Sequence, residues 1–232
     1  MADSTQPRPG ECGSSSEPGP TGVLSALPEE LGSLAAEAVG RRQRQGTWLL
    51  ELDLQGQPVL AVVAGVGKVR AARAATLLLE EGCSRILVVG TCGGLRRHLL
   101  PGTLVLCSRA VQADLSVRPG RESEPDPGLS EAWLAQAPGA RKGCFLTSDR
   151  PVFSIFRRLR LARAFAGDCV ADMETAAVAA VCASAGVPWA ALRAVTDRAG
   201  FFGARSFQRH YPVQAGRAAD TIWGLLRRLT PQ

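Results

Sequence analysis

No apolar run in this 232-residue chain approaches the ~20 residues that a helical membrane span requires, and the N-terminal segment lacks the apolar core of a secretory signal. A cytoplasmic protein with no membrane partner is expected. Metal-binding cysteine patterns are missing as well. The seven cysteines, at positions 12, 83, 92, 107, 144, 169 and 182, include no CxxC pair and no Cys/His ligand spacing, and their total is odd. Neither a zinc site nor a disulfide framework is therefore expected, and a reducing compartment suits these thiols. The formal charge of +6 raises nucleic acid as a partner, but the basic residues form no stripe. Their densest set, Arg157, Arg158, Arg160 and Arg163, falls on one expected helix, where a solvated face accounts for it, so no nucleic-acid partner is expected. Gly65-Val66-Gly67-Lys68 lacks the third glycine and the following ribose-binding acid of a dinucleotide fingerprint, and it is not a Walker loop.

What is present is 46% hydrophobic sequence, enough to bury the core of one α/β domain. Residues 1–20 are rich in Ser, Pro, Gly and Glu and read as a disordered tail; residues 21–232 read as a single catalytic domain. A short strand over 21–26 leads through Pro28 into a helix ending near Gly40. Residues 48–54 and 58–64 form a hairpin around Gln55-Gly56-Gln57. The apolar 58–64 strand leads through Gly65-Val66-Gly67 into a helix from Lys68 to about Glu81, and a buried strand over 85–89 ends in a glycine turn, Gly90-Thr91-Cys92-Gly93-Gly94. Strands follow at 103–109, 144–147, 169–171 and 189–195, with helices at 151–166, 174–185 and 212–229. The run through Pro119, Gly120, Pro125, Pro127 and Gly128 carries too many breakers for a helix and reads as a surface loop. Alternation of strands and helices predicts a three-layer α/β/α domain with a central mixed, mostly parallel, twisted sheet, whose ligand site lies at the strand ends.

Asp172-Met173-Glu174-Thr175-Ala176-Ala177 and, one helix and one strand later, Arg193-Ala194-Val195-Thr196-Asp197 place two carboxylates at such a site. Paired carboxylates suit glycosidic-bond cleavage: one protonates the leaving group while another holds the hydroxyls of a developing oxocarbenium ion. On their own these residues have plainer readings too. Asp197 also fits a helix N-cap or an ion pair, and Glu174 fits a first-turn acid worth less than about 1 kcal/mol.

These segments, together with Gly90-Thr91-Cys92-Gly93-Gly94-Leu95 and Ser25-Ala26-Leu27-Pro28-Glu29-Glu30-Leu31, resemble the nucleoside phosphorylase and nucleosidase superfamily, most closely its 5′-methylthioadenosine/S-adenosylhomocysteine nucleosidases. The resemblance implies a purine nucleoside substrate, a homodimer and no cofactor or metal. It implies that Asp197 protonates the purine, that Glu174 accepts hydrogen bonds from the ribose hydroxyls while Met173 packs on the sugar, and that Glu30 activates water. Glu29 is adjacent, and a one-residue slip would exchange the two. Thr91, Cys92 and Gly93 are implied to lie beside base and sugar, and Val66, Val152 and Phe207 to complete the substrate-binding set. Pro151 stands where an aromatic usually stacks on adenine and Arg118 where a neighbouring subunit presents Phe, so the 5′ group is either the small apolar one of methylthioadenosine or one that is larger or anionic, as in futalosine or another modified adenosine; Phe153, Phe201, Phe202 and Phe207 are candidates to rebuild the wall.

Two alternatives stay open. Arg41, Arg42 and Arg44, read as a basic turn, would serve a phosphate-dependent phosphorylase, whose anion suits forked guanidinium donors. A catalytically silent nucleoside-binding protein fits the altered adenine wall.

Overall fold

The computed structural model describes residues 19–116, 121–199 and 203–229. Residues 1–18 of the expected tail lie outside the described residues, as do Arg118, Pro119, Gly120, Phe201 and Phe202. The described elements are the strands β1 (Thr21–Ser25), β2 (Gly40–Arg44), β3 (Thr47–Leu54), β4 (Gln57–Val63), β5 (Arg85–Gly94), β6 (Leu104–Gln112), β7 (Glu122–Ser123), β8 (Arg141–Thr147), β9 (Cys169–Asp172) and β10 (Trp189–Asp197), with helices α1 (Lys68–Glu80), α2 (Pro127–Gln136), α3 (Ile155–Ala164), α4 (Thr175–Ala185) and α5 (Gly203–Leu229). None of these helices is long and apolar enough to cross a membrane.

β5 organises the domain because its residues Ile86, Leu87, Val88 and Val89 are all fully buried, the pattern of a strand covered on both faces. It runs parallel to β1 on one side and to β10 on the other. Beyond Leu87 and Val88 it continues straight through the glycine run, which is strand rather than the expected turn, and Gly93 and Gly94 pair antiparallel with β9. Because β9 pairs with β8, β8 with β6 and β6 with β10, the sheet closes into a ring of five strands. The flank β1-β4-β3-β2 extends from it. Gly94 makes the closure possible: a Cβ there would lie 2.6 Å from the Leu99 carbonyl oxygen.

The sheet is mixed, as expected, and helices cover both faces. α1 and α4 pack together over one core cluster containing Leu78, Ile86, Val88 and Val178. α2, α5 and the 3₁₀ segment Pro28–Ala35 cover another containing Leu31, Leu87, Trp133 and Leu225.

Five local expectations are corrected. The helix expected from Pro28 to Gly40 is the 3₁₀ segment, interrupted at Gly32, whose φ of 52° is left-handed. Gly40–Arg44 then pairs antiparallel with β3, so Arg41, Arg42 and Arg44 lie on an edge strand, not a turn. Arg42 pairs with Glu51 and Glu81, Arg44 pairs with Glu81, and Arg41 lies over the Trp48 ring at 5.2 Å. The expected loop through Pro127 and Gly128 is α2: Asp126 accepts the Leu129 N–H at 2.8 Å, and Pro127 occupies the first turn, where its missing N–H costs nothing. α3 starts only at Ile155, after the Ser154 cap, leaving residues 148–154 as a non-helical wall. α5 begins at Gly203 and runs through Pro212 rather than starting there. An interior proline costs a helix about 3 kcal/mol; burial of Ala215, Ala218, Ile222 and Leu225 on the C-terminal side offsets it.

Candidate active site

Arg193 lies mid-strand in β10, all nine residues of which are buried, and it is 1% exposed. Its Nη1 donates to the Thr91 carbonyl oxygen at 2.9 Å and its Nη2 to Glu174 Oε2 at 3.1 Å. Its Nε lies 3.0 Å from Asp172 Oδ2 and 3.1 Å from Thr175 Oγ1. Burial works against its charge, but Asp172, Glu174 and Glu30 more than offset that and hold the guanidinium firmly protonated. Asp172 is further satisfied by Thr147 Oγ1 at 2.5 Å, by the Thr175 N–H at 3.1 Å and by the Thr175 hydroxyl.

Glu174 sits at the N-cap of α4, yet its side chain makes no cap hydrogen bond. It turns instead to the glycine turn, accepting the Gly67 N–H at Oε1 over 3.0 Å. Burial raises its carboxyl above the ordinary range, opposed by Arg193. Glu30 is 1% exposed. Its Oε2 accepts the N–H groups of Ala26 (3.0 Å) and Leu27 (3.1 Å), and its Oε1 accepts the N–H and hydroxyl of Thr91, both at 2.9 Å. Burial again pushes the carboxyl up, with Arg193 and these hydrogen bonds pulling the other way. Glycine at position 90 admits this carboxylate, since a Cβ there would stand 3.0 Å from both Glu30 and Arg193. Glu29 points elsewhere: it is exposed and accepts the Tyr211 hydroxyl at 2.8 Å.

At the end of β10, the register against β5 shifts between Val195 and Asp197, so Thr196 and Asp197 both reach the cavity although strand alternation would separate them. Asp197 accepts the Ala199 N–H at 2.7 Å and the Thr196 hydroxyl at 3.0 Å. Ala199 presents that N–H from a left-handed φ of 39°, a conformation that strains a residue bearing a Cβ. Burial raises the Asp197 carboxyl above its ordinary range, with these two donors in opposition.

Glu30, Glu174 and Asp197 line one cavity of about 310 Å³, within the range of small-molecule sites. Val66, Thr91, Cys92, Gly93, Val152, Met173 and Phe207, all expected as substrate contacts, line it too. Pro151 and Phe153 do as well. Thr196, the residue paired with Asp197 in the sequence motif, borders the cavity, as do Arg193 and Arg150, to which sequence reasoning assigned no role. For Arg193 the signal was present: an arginine inside an otherwise apolar strand has to be paired.

The sequence profile of the phosphorylase superfamily matches residues 20–227. The chain belongs to the phosphorylase superfamily. A relative from Mycobacterium bovis, a 5′-methylthioadenosine/S-adenosylhomocysteine nucleosidase, is 30% identical over 249 aligned positions that cover 90% of this chain and 97% of the relative. The superfamily fold is shared with solved structures. S-adenosylhomocysteine nucleosidase from Streptococcus pyogenes, in complex with 5-methylthiotubericidin, superposes with a TM-score of 0.88 at 22% identity, covering 94% of this chain and 100% of that one. Futalosine hydrolase of Helicobacter pylori superposes with a TM-score of 0.86 at 23% identity, covering 91% and 98%. In this phosphorylase-superfamily chain the match runs from the residue before β1 to within α5, so it spans every element that contributes to the cavity.

Proposed function

We propose that the protein is a nucleosidase that hydrolyses the N-glycosidic bond of a 5′-modified purine nucleoside, of the methylthioadenosine/S-adenosylhomocysteine or futalosine type, to free base and ribosyl product. The observation that carries this reading is the convergence of Glu30, Glu174 and Asp197 on one small-molecule cavity. The nucleosidase relatives named above support it.

In this mechanism Asp197 enters protonated, which its raised carboxyl favours, and donates to purine N7 as the C1′–N9 bond breaks. Glu174 accepts hydrogen bonds from the ribose hydroxyls, and these strengthen as positive charge grows on the ring. Glu30 accepts a proton from the water that attacks C1′; a carboxylate raised by burial is a stronger base than an ordinary one. Met173 packs on the sugar, Thr91, Cys92 and Gly93 lie along base and sugar, Val152 faces the base, and Val66 and Phe207 contact the 5′ group.

Water is favoured over phosphate on electrostatic grounds. Arg193 is engaged by Thr91, Asp172, Glu174 and Thr175, while Arg42 and Arg44 are paired with Glu51 and Glu81. A phosphate dianion next to Glu30 and Glu174 would meet two buried carboxylates. Base release from methylthioadenosine, futalosine and inosine, assayed with and without phosphate, tests the reading: equal rates are expected, and strict phosphate dependence would overturn it.

A homodimer in the cytoplasm belongs to the same reading. Val69 and Phe156 are more than four-fifths exposed, near the cavity-lining Val66 and Phe153 in sequence, and a second copy would cover such surface. The described cysteines are free and buried, as suits a reducing compartment. Sedimentation as a monomer at micromolar concentration would remove the dimer.

A further inference from the structure

Lys68 opens α1 one residue after Gly67, the residue whose N–H holds Glu174. Its ammonium lies 2.8 Å from Asp114 Oδ1 and 3.3 Å from Asp149 Oδ2. The other oxygen of Asp114 accepts the Asp149 N–H at 2.8 Å. Three segments are thereby joined: the glycine turn, the chain leaving β6 and the chain leaving β8. The last two are also tied at their roots, Ala113 N–H to the Thr147 carbonyl at 2.8 Å, and the chain leaving β8 is tied to the end of β9 by Ser148 N–H to the Asp172 carbonyl at 3.1 Å. Immediately beyond Asp149, residues 150–153 line the cavity before Ser154 caps α3.

The clamp's two ends therefore differ in what they control. One end is next to the amide that orients Glu174; the other is the first residue of the wall formed by Arg150, Pro151, Val152 and Phe153. A solvent-exposed ion pair contributes at most about 1 kcal/mol to stability, which holds for the contact to Asp149, 66% exposed, whereas the pair of Lys68 with Asp114 is 18% and 29% exposed. Those carboxylates outweigh the burial that disfavours its charge. Neutralising it would leave Asp114 and Asp149 without the cation that ties them to the glycine turn, which releases the wall from that turn.

We propose that Lys68 and Asp114 are positioning residues whose clamp fixes the base-facing wall 150–153 relative to the ribose-holding Glu174, and so sets how tightly the nucleoside is held. The assignment rests on the nucleosidase reading above. It predicts an effect on substrate affinity that exceeds the effect on the bond-breaking step, because neither residue touches the reacting atoms.

The test compares KM and kcat for base release from methylthioadenosine by the wild type, Lys68→Met, Lys68→Arg, Asp114→Asn/Asp149→Asn and the triple variant. Lys68→Met should raise KM about tenfold, within the coupling range of contacting residues, with kcat within about threefold. Lys68→Arg should restore most of the loss, and Lys68→Met should add nothing in the background lacking both acids. An unchanged KM, a loss confined to kcat, or an equal rise in that background would overturn the clamp. If Lys68→Met does not fold, as judged by circular dichroism, Asp114→Asn must show the same KM-selective loss or the clamp falls. If the wild type releases no base, the nucleosidase reading fails by itself, and the clamp then stands or falls on a tenfold weakening of adenosine binding by calorimetry.

Discussion

Arg193 Nη2 stands 3.1 Å from Glu174 Oε2 while the same guanidinium holds Asp172 and the Thr91 carbonyl. The cation thus couples the residue proposed to grip ribose to the strand that carries Thr91 and, through Thr91, to Glu30. Removing one partner of a buried charge network strands the others in low dielectric. Arg193→Gln should therefore destabilise the fold by about 3–5 kcal/mol, read from urea midpoints, and depress base release with it. The pH dependence has a definite sign. Burial already raises Glu30 and Glu174, and without Arg193 both rise further above their unfolded values. The folded variant then binds more protons than the unfolded chain, and its stability falls as pH rises. Arg193→Gln should be closer to wild type at pH 5 than at pH 8; a deficit that grows toward acid would refute the network.

Glu29 and Glu30 are neighbours with opposite surroundings, one exposed against Tyr211 and the other enclosed by four donors from Ala26, Leu27 and Thr91. Glu30→Gln should lower kcat by at least about a hundredfold, the usual scale of a lost general base. Glu29→Gln retains an acceptor for the Tyr211 hydroxyl and should leave kcat within about threefold. Equal losses in the two variants would return the water-activating role to dispute.

Sequence alone left that pair open because a one-residue slip is invisible without geometry. The 3₁₀ winding and the break at Gly32 decide which side chain turns inward. The same limit applied at Asp197, where alternation along β10 does not foresee the register shift that brings Thr196 beside it. By contrast, the β3–β4 hairpin, α1 and α4 followed directly from apolar periodicity and from Gly56 and Gly186 at their ends. Ring closure was not legible, since it depends on Gly93 and Gly94 pairing with a strand far along the chain. α2 was missed because Pro127 was weighed as a breaker rather than as a first-turn residue capped by Asp126.

The proposed acid and base are both raised by burial, which gives the pH profile of kcat/KM a specific shape. Its acid limb reports ionisation of Glu30 and should lie above the ordinary carboxylate value of about 4.3; its alkaline limb reports loss of the Asp197 proton. Thr196→Val removes a donor that stabilises the ionised Asp197 carboxylate. The alkaline limb should move to higher pH in that variant while the acid limb stays in place. A shift of the acid limb instead would exchange the two assignments.

Gly90 and Gly94 lie on the same strand, but a methyl group at each would meet different obstacles. At Gly94 the added carbon would sit 2.6 Å from the backbone oxygen of Leu99, and backbone cannot step aside without disturbing the closed ring. Gly94→Ala should cost about 1–3 kcal/mol, the usual scale of overpacking, and appear as a lowered Tm. At Gly90 the contacts are side-chain atoms of Glu30 and Arg193 at 3.0 Å, which yield by a few tenths of an ångström. Gly90→Ala should therefore spare most of the stability but displace the water-activating carboxylate, lowering kcat by about tenfold or more, because small misplacements of reacting groups are costly. Thermal melts and base-release kinetics on the two variants separate these outcomes. If Gly90→Ala retains full kcat, Glu30 does not act from the position it occupies here.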